Sequence, residues 1–357
     1  MIKLLHCADV HLDSPLAGYS DAQRTLLKQA LLDIPGALVR LCRTHGCDLL
    51  LLAGDVFDGG YTPESLHALR NALEEVGIPV FISPGNHDFC GPDSPWLTES
   101  WPANVHIFTK AVPTSVPLLE LDCRVYGAGF QSMDCPALLE GFRAEGAERY
   151  HIGVFHGDPV QAASPYCPIS VSQLRDSGLE YLALGHIHKG DAFTAGSTLC
   201  AWPGCPMGRG FDETGEKGVL LVTIEETASA RFLPLEVPRF YDREVEAGAD
   251  PLSAVAEVVP PVASRDFYRV TLTGYASGVD LNRIAAAFPH LPNLTLRDRT
   301  IPEADLWSIV DADSLEGIYF RKLHDAMNGQ DEATKRRIHL AARISRMLLD
   351  GQEVPLP

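Results

Sequence analysis

The run Asp48-Leu49-Leu50-Leu51-Leu52-Ala53-Gly54-Asp55-Val56-Phe57-Asp58 restricts the fold more than any other stretch of the chain. An unbroken apolar segment of this length, bounded by an aspartate and a glycine, reads as a strand buried on both faces. Such strands belong to open parallel sheets covered by helices, where ligands gather at the carboxyl ends of the strands. Asp55 and Asp58 follow at once. Taken alone, the stretch is equally well a strand closed by a polar turn. The functional reading depends on whether other strands deliver similar residues to the same edge.

Four others do. Residues 2–7 form an apolar run that hands over to Asp9-Val10-His11, a spacing that points both side chains the same way as an extended chain leaves a sheet. Residues 78–82 run into Gly85-Asn86-His87-Asp88, residues 150–155 into His156, and residues 180–184 into Gly185-His186-Ile187-His188. Helical spacing fills much of the remainder: residues 21–45 with a kink at Pro35, residues 63–76 behind a Thr62 cap, and shorter pieces at 136–143 and 172–177. Further strands are expected at 105–108 and 123–126. Strands alternating with helices predict an α/β fold. Carboxylates, imidazoles and an amide converging on one edge form a mixed oxygen and nitrogen set suited to manganese, iron or zinc. Asp13 and Asp158 sit beside these residues without an assigned role, and Arg209, in a glycine-rich loop, reads as a solvated side chain.

Composition narrows the classes further. Nine cysteines among 357 residues, with no C-x-x-C pair, argue against a disulfide framework and a structural zinc site. No stretch approaches the ~20 apolar residues of a membrane span, and the start turns polar too early for a signal peptide. The expected location is the cytoplasm, with no membrane partner. The net charge of −18 is poorly suited to holding DNA by the average surface. Bound cations can still supply positive charge locally.

The ordered set D-x-H, G-D-x-x-D, G-N-H-D, a lone histidine and G-H-x-H resembles the calcineurin-like metallophosphoesterase superfamily over residues 1–235. A narrower similarity, to SbcD-type DNA repair exonucleases and their YhaO-like branch, rests on His6 to Leu16, on Trp202-Pro203-Gly204 through Gly210, and on Glu213 to Gly218. The resemblance implies a four-layer αββα sandwich, with residues 217–225 and 230–237 fitting its second sheet. It implies two divalent metal ions, manganese foremost. Asp9, His11 and His188 would bind one ion, Asn86, His156 and His186 the other, and Asp55 would bridge them. Hydrolysis would proceed by attack of a metal-bridging hydroxide on a phosphodiester. His87 would act on the leaving oxygen, with Asp58 holding its ring. DNA is the substrate so implied, cut as an exonuclease or endonuclease in repair. The alternative is a metallophosphoesterase acting on a small nucleotide or a phosphoprotein.

Pro234 and Pro238 set a boundary after residue 235. Segments 243–247, 251–259, 267–275, 280–288 and 294–299 then read β-α-β-α-β, a small α/β module placed like the cap of SbcD-type nucleases. Residues 301–357 read as two helices, 314–328 and 331–350, and the second carries Lys335, Arg336, Arg337, Arg343 and Arg346. By the same resemblance this segment would dock an SMC-like (SbcC-type) ATPase, and the protein would form a homodimer.

Overall fold

The computed structural model describes residues 1–274, 276, 278–301 and 306–351. Tyr275, at the end of the strand expected over 267–275, and residues 302–305 and 352–357 of the C-terminal segment lie outside the described residues. The chain divides into two units, one of residues 1–242 with 265–267, the other of residues 243–264 with 268–357.

The first unit begins with β1 (Ile2–Cys7), α1 (Asp21–Leu32), α2 (Ile34–His45), β2 (Leu49–Leu52), α3 (Pro63–Val76), β3 (Val80–Ile82), α4 (Pro95–Thr98) and β4 (Val105–Ile107). It continues with β5 (Thr114–Leu118), β6 (Cys123–Gly127), β7 (Tyr150–His156), α5 (Val171–Asp176), β8 (Tyr181–Gly185), β9 (Lys189–Ala195), β10 (Thr198–Gly204), β11 (Gly218–Ile224) and β12 (Ala228–Pro234). Local chemistry sets the helix ends. Ser20 and Gln23 form a reciprocal capping box on α1, Thr62 caps α3 ahead of Pro63, and Gly46 and Gly77 close α2 and α3 in the left-handed conformation. The helix expected over 21–45 is two helices, because Asp33 ends α1 and starts α2, leaving Pro35 in the first turn where its missing N–H costs nothing.

Two six-stranded sheets result, in the orders β12-β11-β1-β2-β3-β4 and β5-β6-β7-β8-β10-β9. Period-two alternation sorts each strand between two cores. Ile2, Leu4, Leu49 and Leu51 pack between the sheets against Val125, Ile152, Val154, Tyr181 and Ala183, while Leu5, Cys7, Leu50 and Leu52 face α1, α2 and α3. The outer face of the second sheet, including Phe155, Leu182 and Leu184, is covered by α5 and irregular chain around Leu138 and Leu139. This is the layered α/β sandwich expected, with two departures. Residues 136–143 form turns instead of a helix. Strands β11 and β12 extend the first sheet, not the second, with β11 running antiparallel to β1 from Ile2↔Ile224 to His6↔Leu220. An antiparallel partner can close the open edge of β1 without a crossover helix. Strands β1, β2 and β3 are mutually parallel, as are β7 and β8, so their carboxyl ends share an edge within each sheet.

In the second unit, β13 (Phe240–Glu246), α6 (Pro251–Val258), β14 (Phe267–Thr273), α7 (Leu281–Ala286) and β15 (Leu294–Asp298) build a three-stranded sheet in the order β13-β14-β15. Its β14 and β15 are parallel, from Tyr268↔Leu294 to Leu272↔Asp298. Then α8 (Leu315–Asp325) and α9 (Glu332–Leu349) pair around a small core of Leu306, Phe320 and Ala342. No helix among the described residues is long and apolar enough to cross a membrane.

Candidate metal centre

The ladder between β1 and β2 continues past both strand ends. Asp9 N donates to Gly54 O at 3.0 Å and His11 N to Asp55 O at 2.9 Å. The two polar segments therefore leave the sheet side by side. Asp9, His11, Asp55 and His186 all have positive φ (53°, 52°, 50° and 101°), a conformation that costs a side-chain-bearing residue energy and persists where the surroundings enforce it. Part of that enforcement comes from the carboxylates themselves. Asp9 accepts from His186 N, joining the two sheets, and Asp55 accepts from His87 N. Gly54 and Gly85 are required for close approach. A Cβ on Gly54, at φ +86°, would run into the His156 ring, and one on Gly85 would strike both His156 and Asp55.

All seven residues expected to hold metal meet here, from both sheets. The His11 and His188 Nε2 atoms face each other at 3.2 Å, and one carboxylate oxygen of Asp9 lies within 4.8 Å of both rings' nitrogens. His156 Nε2 sits 2.9 Å from Asn86 Oδ1, and His186 Nδ1 lies 3.2 Å from the same oxygen. Asp55 Oδ2 lies between the two groups, 3.8 Å from His11 Nε2 and 3.4 Å from His156 Nε2.

The rings' other nitrogens explain why this arrangement fits cations. His156 Nδ1 is 2.9 Å from Ala53 O, which fixes the proton there in the neutral ring. His188 Nδ1 is 2.6 Å from the Glu213 carboxylate, and His11 Nδ1 is 3.3 Å from Asp58. With those protons committed, His11 Nε2 meets His188 Nε2, and His156 Nε2 meets Asn86 Oδ1, as lone pair against lone pair. Such contacts repel unless a cation lies among them, and this outer-carboxylate or carbonyl pattern is the one metal-ligating histidines adopt. The local potential agrees. Burial alone would lower the His156 pKa, yet Asp55 and Asp9 push it up to about 9. Burial opposes ionisation of Asp55 as well, and His156 and His11 nevertheless hold it well below the usual carboxylate range.

A second layer of residues is less visible in the sequence. Asp58 places Oδ1 2.8 Å from His87 Nδ1 and Oδ2 3.4 Å from Arg209, and although burial opposes it, His11 and His87 hold its carboxyl far below the ordinary range. His87, 39% exposed, is raised in pKa chiefly by its bond to Asp58. Arg209 is not a solvated side chain. It is 18% exposed and tied to Glu213 at 2.9 Å as well as to Asp58. Glu213 thus supports both His188 and Arg209, and no spacing in the sequence announces it. Asp88 is buried and accepts from the N–H groups of Gly85, Val56 and Asp55 at 2.7, 2.8 and 3.2 Å. Burial and nearby Asp55 push its carboxyl up to about 7, with those N–H groups pulling the other way. Asp13 accepts from Thr62 and Ser65 at the start of α3, and Asp158 from Val160 N and Gln161 N, so both organise loops.

The family model for calcineurin-like phosphoesterases matches residues 2–190. The uncharacterized metallophosphoesterase YhaO of Bacillus subtilis (strain 168) is 33% identical over 244 residues, covering 62% of this chain and 57% of that protein. The SbcD component of the nuclease SbcCD is 25% identical over 271 residues in Bacillus subtilis (strain 168), covering 62% of this chain and 66% of that one. Its counterpart in Escherichia coli (strain K12) is 24% identical over 285 residues, covering 66% and 68%. The match spans less than two thirds of the length of YhaO and of the Bacillus subtilis SbcD component.

Proposed function

This chain belongs to the calcineurin-like phosphoesterase family, and we propose that it is a phosphodiesterase using two divalent ions, manganese by preference, to cut DNA. The observation that carries the metal reading is the pair of facing lone-pair contacts, His11 with His188 and His156 with Asn86, either side of Asp55. Asp9, His11 and His188 would hold one ion, Asn86, His156 and His186 the other, and Asp55 both. When bound, the ions would supply activation of water at neutral pH and neutralise charge on the phosphoryl oxygens.

The remaining steps fall to the chain's own residues. His87 is held through Nδ1 by Asp58, which leaves Nε2 to carry a proton towards the leaving oxygen. Asp58 fixes that tautomer and, with the help of Arg209, keeps the ring from turning. The Asp55 carboxylate accepts from His87 N, so the proton donor and the shared ligand are registered on one backbone segment.

Similarity to the SbcD component of SbcCD supports DNA as the substrate, action as an exonuclease or endonuclease in repair, an SbcC-type ATPase partner and a homodimer. The net charge of −18 favours the second reading, a small nucleotide or phosphoprotein as substrate. One experiment separates them. Full-length protein with manganese is incubated with labelled duplex DNA, single-stranded DNA and bis(p-nitrophenyl) phosphate, beside His87→Ala. DNA cleavage lost in the variant supports the first reading, and hydrolysis of the small ester alone supports the second. Manganese-loaded protein inert on every ester would overturn both.

A further inference from the structure

A cavity of about 380 Å³ opens directly beside His87. That volume lies within the range of small-ligand sites, about 300–1,000 Å³. Its walls are aromatic and come from two different cores. Tyr61, packed on the core under the first sheet, stands against Phe57 at 5.8 Å between ring centres. Phe89, two residues beyond His87, packs instead on the core outside the second sheet. The Phe89 ring touches no other aromatic ring among the described residues, so a gap separates the two walls. Gly59 and Gly60 widen it, since a Cβ at either would meet no atom within 4 Å. The described lining holds no lysine or arginine, and the exposed Asp93 adds negative charge.

These features select the occupant. A phosphate is disfavoured by the missing cations and by Asp93. A flat, neutral heteroaromatic group is favoured by the two ring faces. The Tyr61 hydroxyl, which makes no hydrogen bond within the described protein, and the Ser94 hydroxyl, which caps a short helix, offer polar atoms for the edge of such a ring. We infer that the cavity is a slot for one unpaired nucleobase of the substrate, seated between Tyr61 and Phe89 while its phosphate lies at the metal centre. This rests on the phosphodiesterase reading and narrows it. A base inside a duplex is stacked and cannot enter, so the slot takes a nucleotide from a single strand or a frayed end. Stacking on aromatic side chains tolerates every base, so the slot reads the presence of a base and not its identity.

The test is calorimetric binding to the manganese-loaded full chain, with thymidine 5′-monophosphate, 2-deoxyribose 5-phosphate and phenyl phosphate as probes. The base should tighten binding roughly 5- to 150-fold over the sugar phosphate, the range that stacking provides. Tyr61→Ala and Phe89→Ala should each erase most of that advantage while leaving sugar-phosphate affinity within about twofold. Tyr61→Phe, which keeps the ring, should retain it, and unchanged thermal melting would show that the variants are folded. Equal affinity for the nucleotide and the sugar phosphate in the wild type would overturn the slot. So would alanine variants that weaken both probes alike. Phenyl phosphate binding as tightly as the nucleotide, with the same dependence on Tyr61, would assign the cavity to an aromatic phosphoester of protein origin and overturn the nucleobase. The expected binding pattern in a protein that hydrolyses no phosphodiester would support the slot and sink the phosphodiesterase reading.

Discussion

The Nδ1 atom of His87 lies 2.8 Å from Oδ1 of Asp58, although the two residues follow different strands, β3 and β2. The same carboxylate reaches His11 at 3.3 Å, so one side chain orients both a proposed proton donor and a proposed metal ligand. Replacing His87 with alanine should reduce kcat by about 10²–10⁴, the usual worth of a positioned acid. Asp58→Asn keeps the size of the side chain but removes the charge. Its kcat at saturating manganese should fall about 10–100-fold with KM little changed. Steady-state kinetics on a phosphodiester would check both, and full activity in Asp58→Asn would show that the contact is incidental.

Glu213 gives a prediction that the sequence motifs alone would not. Its 2.6 Å contact with His188 Nδ1 fixes which nitrogen of that ring faces the centre. Glu213→Gln should weaken manganese binding about 10–100-fold at the site that uses His188. The other site should keep its affinity. Manganese titration followed by calorimetry would resolve the two.

Gly85 tests the packing beneath the centre. A methyl group there would meet Asp55 and approach the His156 ring at 2.8 Å. Overpacking of this kind costs about 1–3 kcal/mol, which a domain of this size tolerates. Gly85→Ala should therefore fold with a lowered melting temperature and hold less metal than the wild type. Normal metal content would mean that Asp55 and His156 relax freely.

His6 sets a pH dependence unrelated to the metals. It lies between the two sheets, with Nδ1 2.8 Å from the Tyr181 hydroxyl and Nε2 3.0 Å from Leu184 O. Burial lowers its pKa from 6.5 to about 3, despite the bond to Leu184. The folded protein thus holds a neutral ring that the unfolded chain protonates below pH 6.5. Its contribution is fully present above that pH and is lost on acidification, at about 1.4 kcal/mol per pH unit, until the folded pKa is reached. Between pH 7 and pH 5 the wild type should lose about 2 kcal/mol of stability that His6→Gln does not. Urea denaturation at the two pH values would measure the difference, and parallel losses would refute the assignment.

How much of this was legible follows from where the chemistry sits. The strands ending in Asp9, Asp55, Asn86, His156 and His186 announce themselves because each is an apolar run broken by a glycine or a charged residue at one point. Local pattern carries that information, and the α/β sandwich with its convergent edge follows from it. Glu213 and Arg209 carry no such mark. They reach His188 and Asp58 from a loop between β10 and β11, and loop paths are set by tertiary packing that no period records. Strands β11 and β12 were legible as strands but not in their sheet, because Val219 and Val222 would be equally buried beside either one. At 136–143 the apolar spacing of Leu138, Leu139 and Phe142 suits a helix, yet those residues fill the outer core from turns.

Asp55, placed between two clusters of facing lone pairs, is the proposed ligand that both ions share, and the dinuclear centre stands or falls with it. Equilibrium dialysis against manganese with elemental analysis tests this directly on wild type, Asp55→Asn and His11→Ala. Two ions per chain are expected in the wild type, loss of affinity at both sites together in Asp55→Asn, and loss at mainly one in His11→Ala. Two ions bound to Asp55→Asn with wild-type affinity would contradict the shared centre.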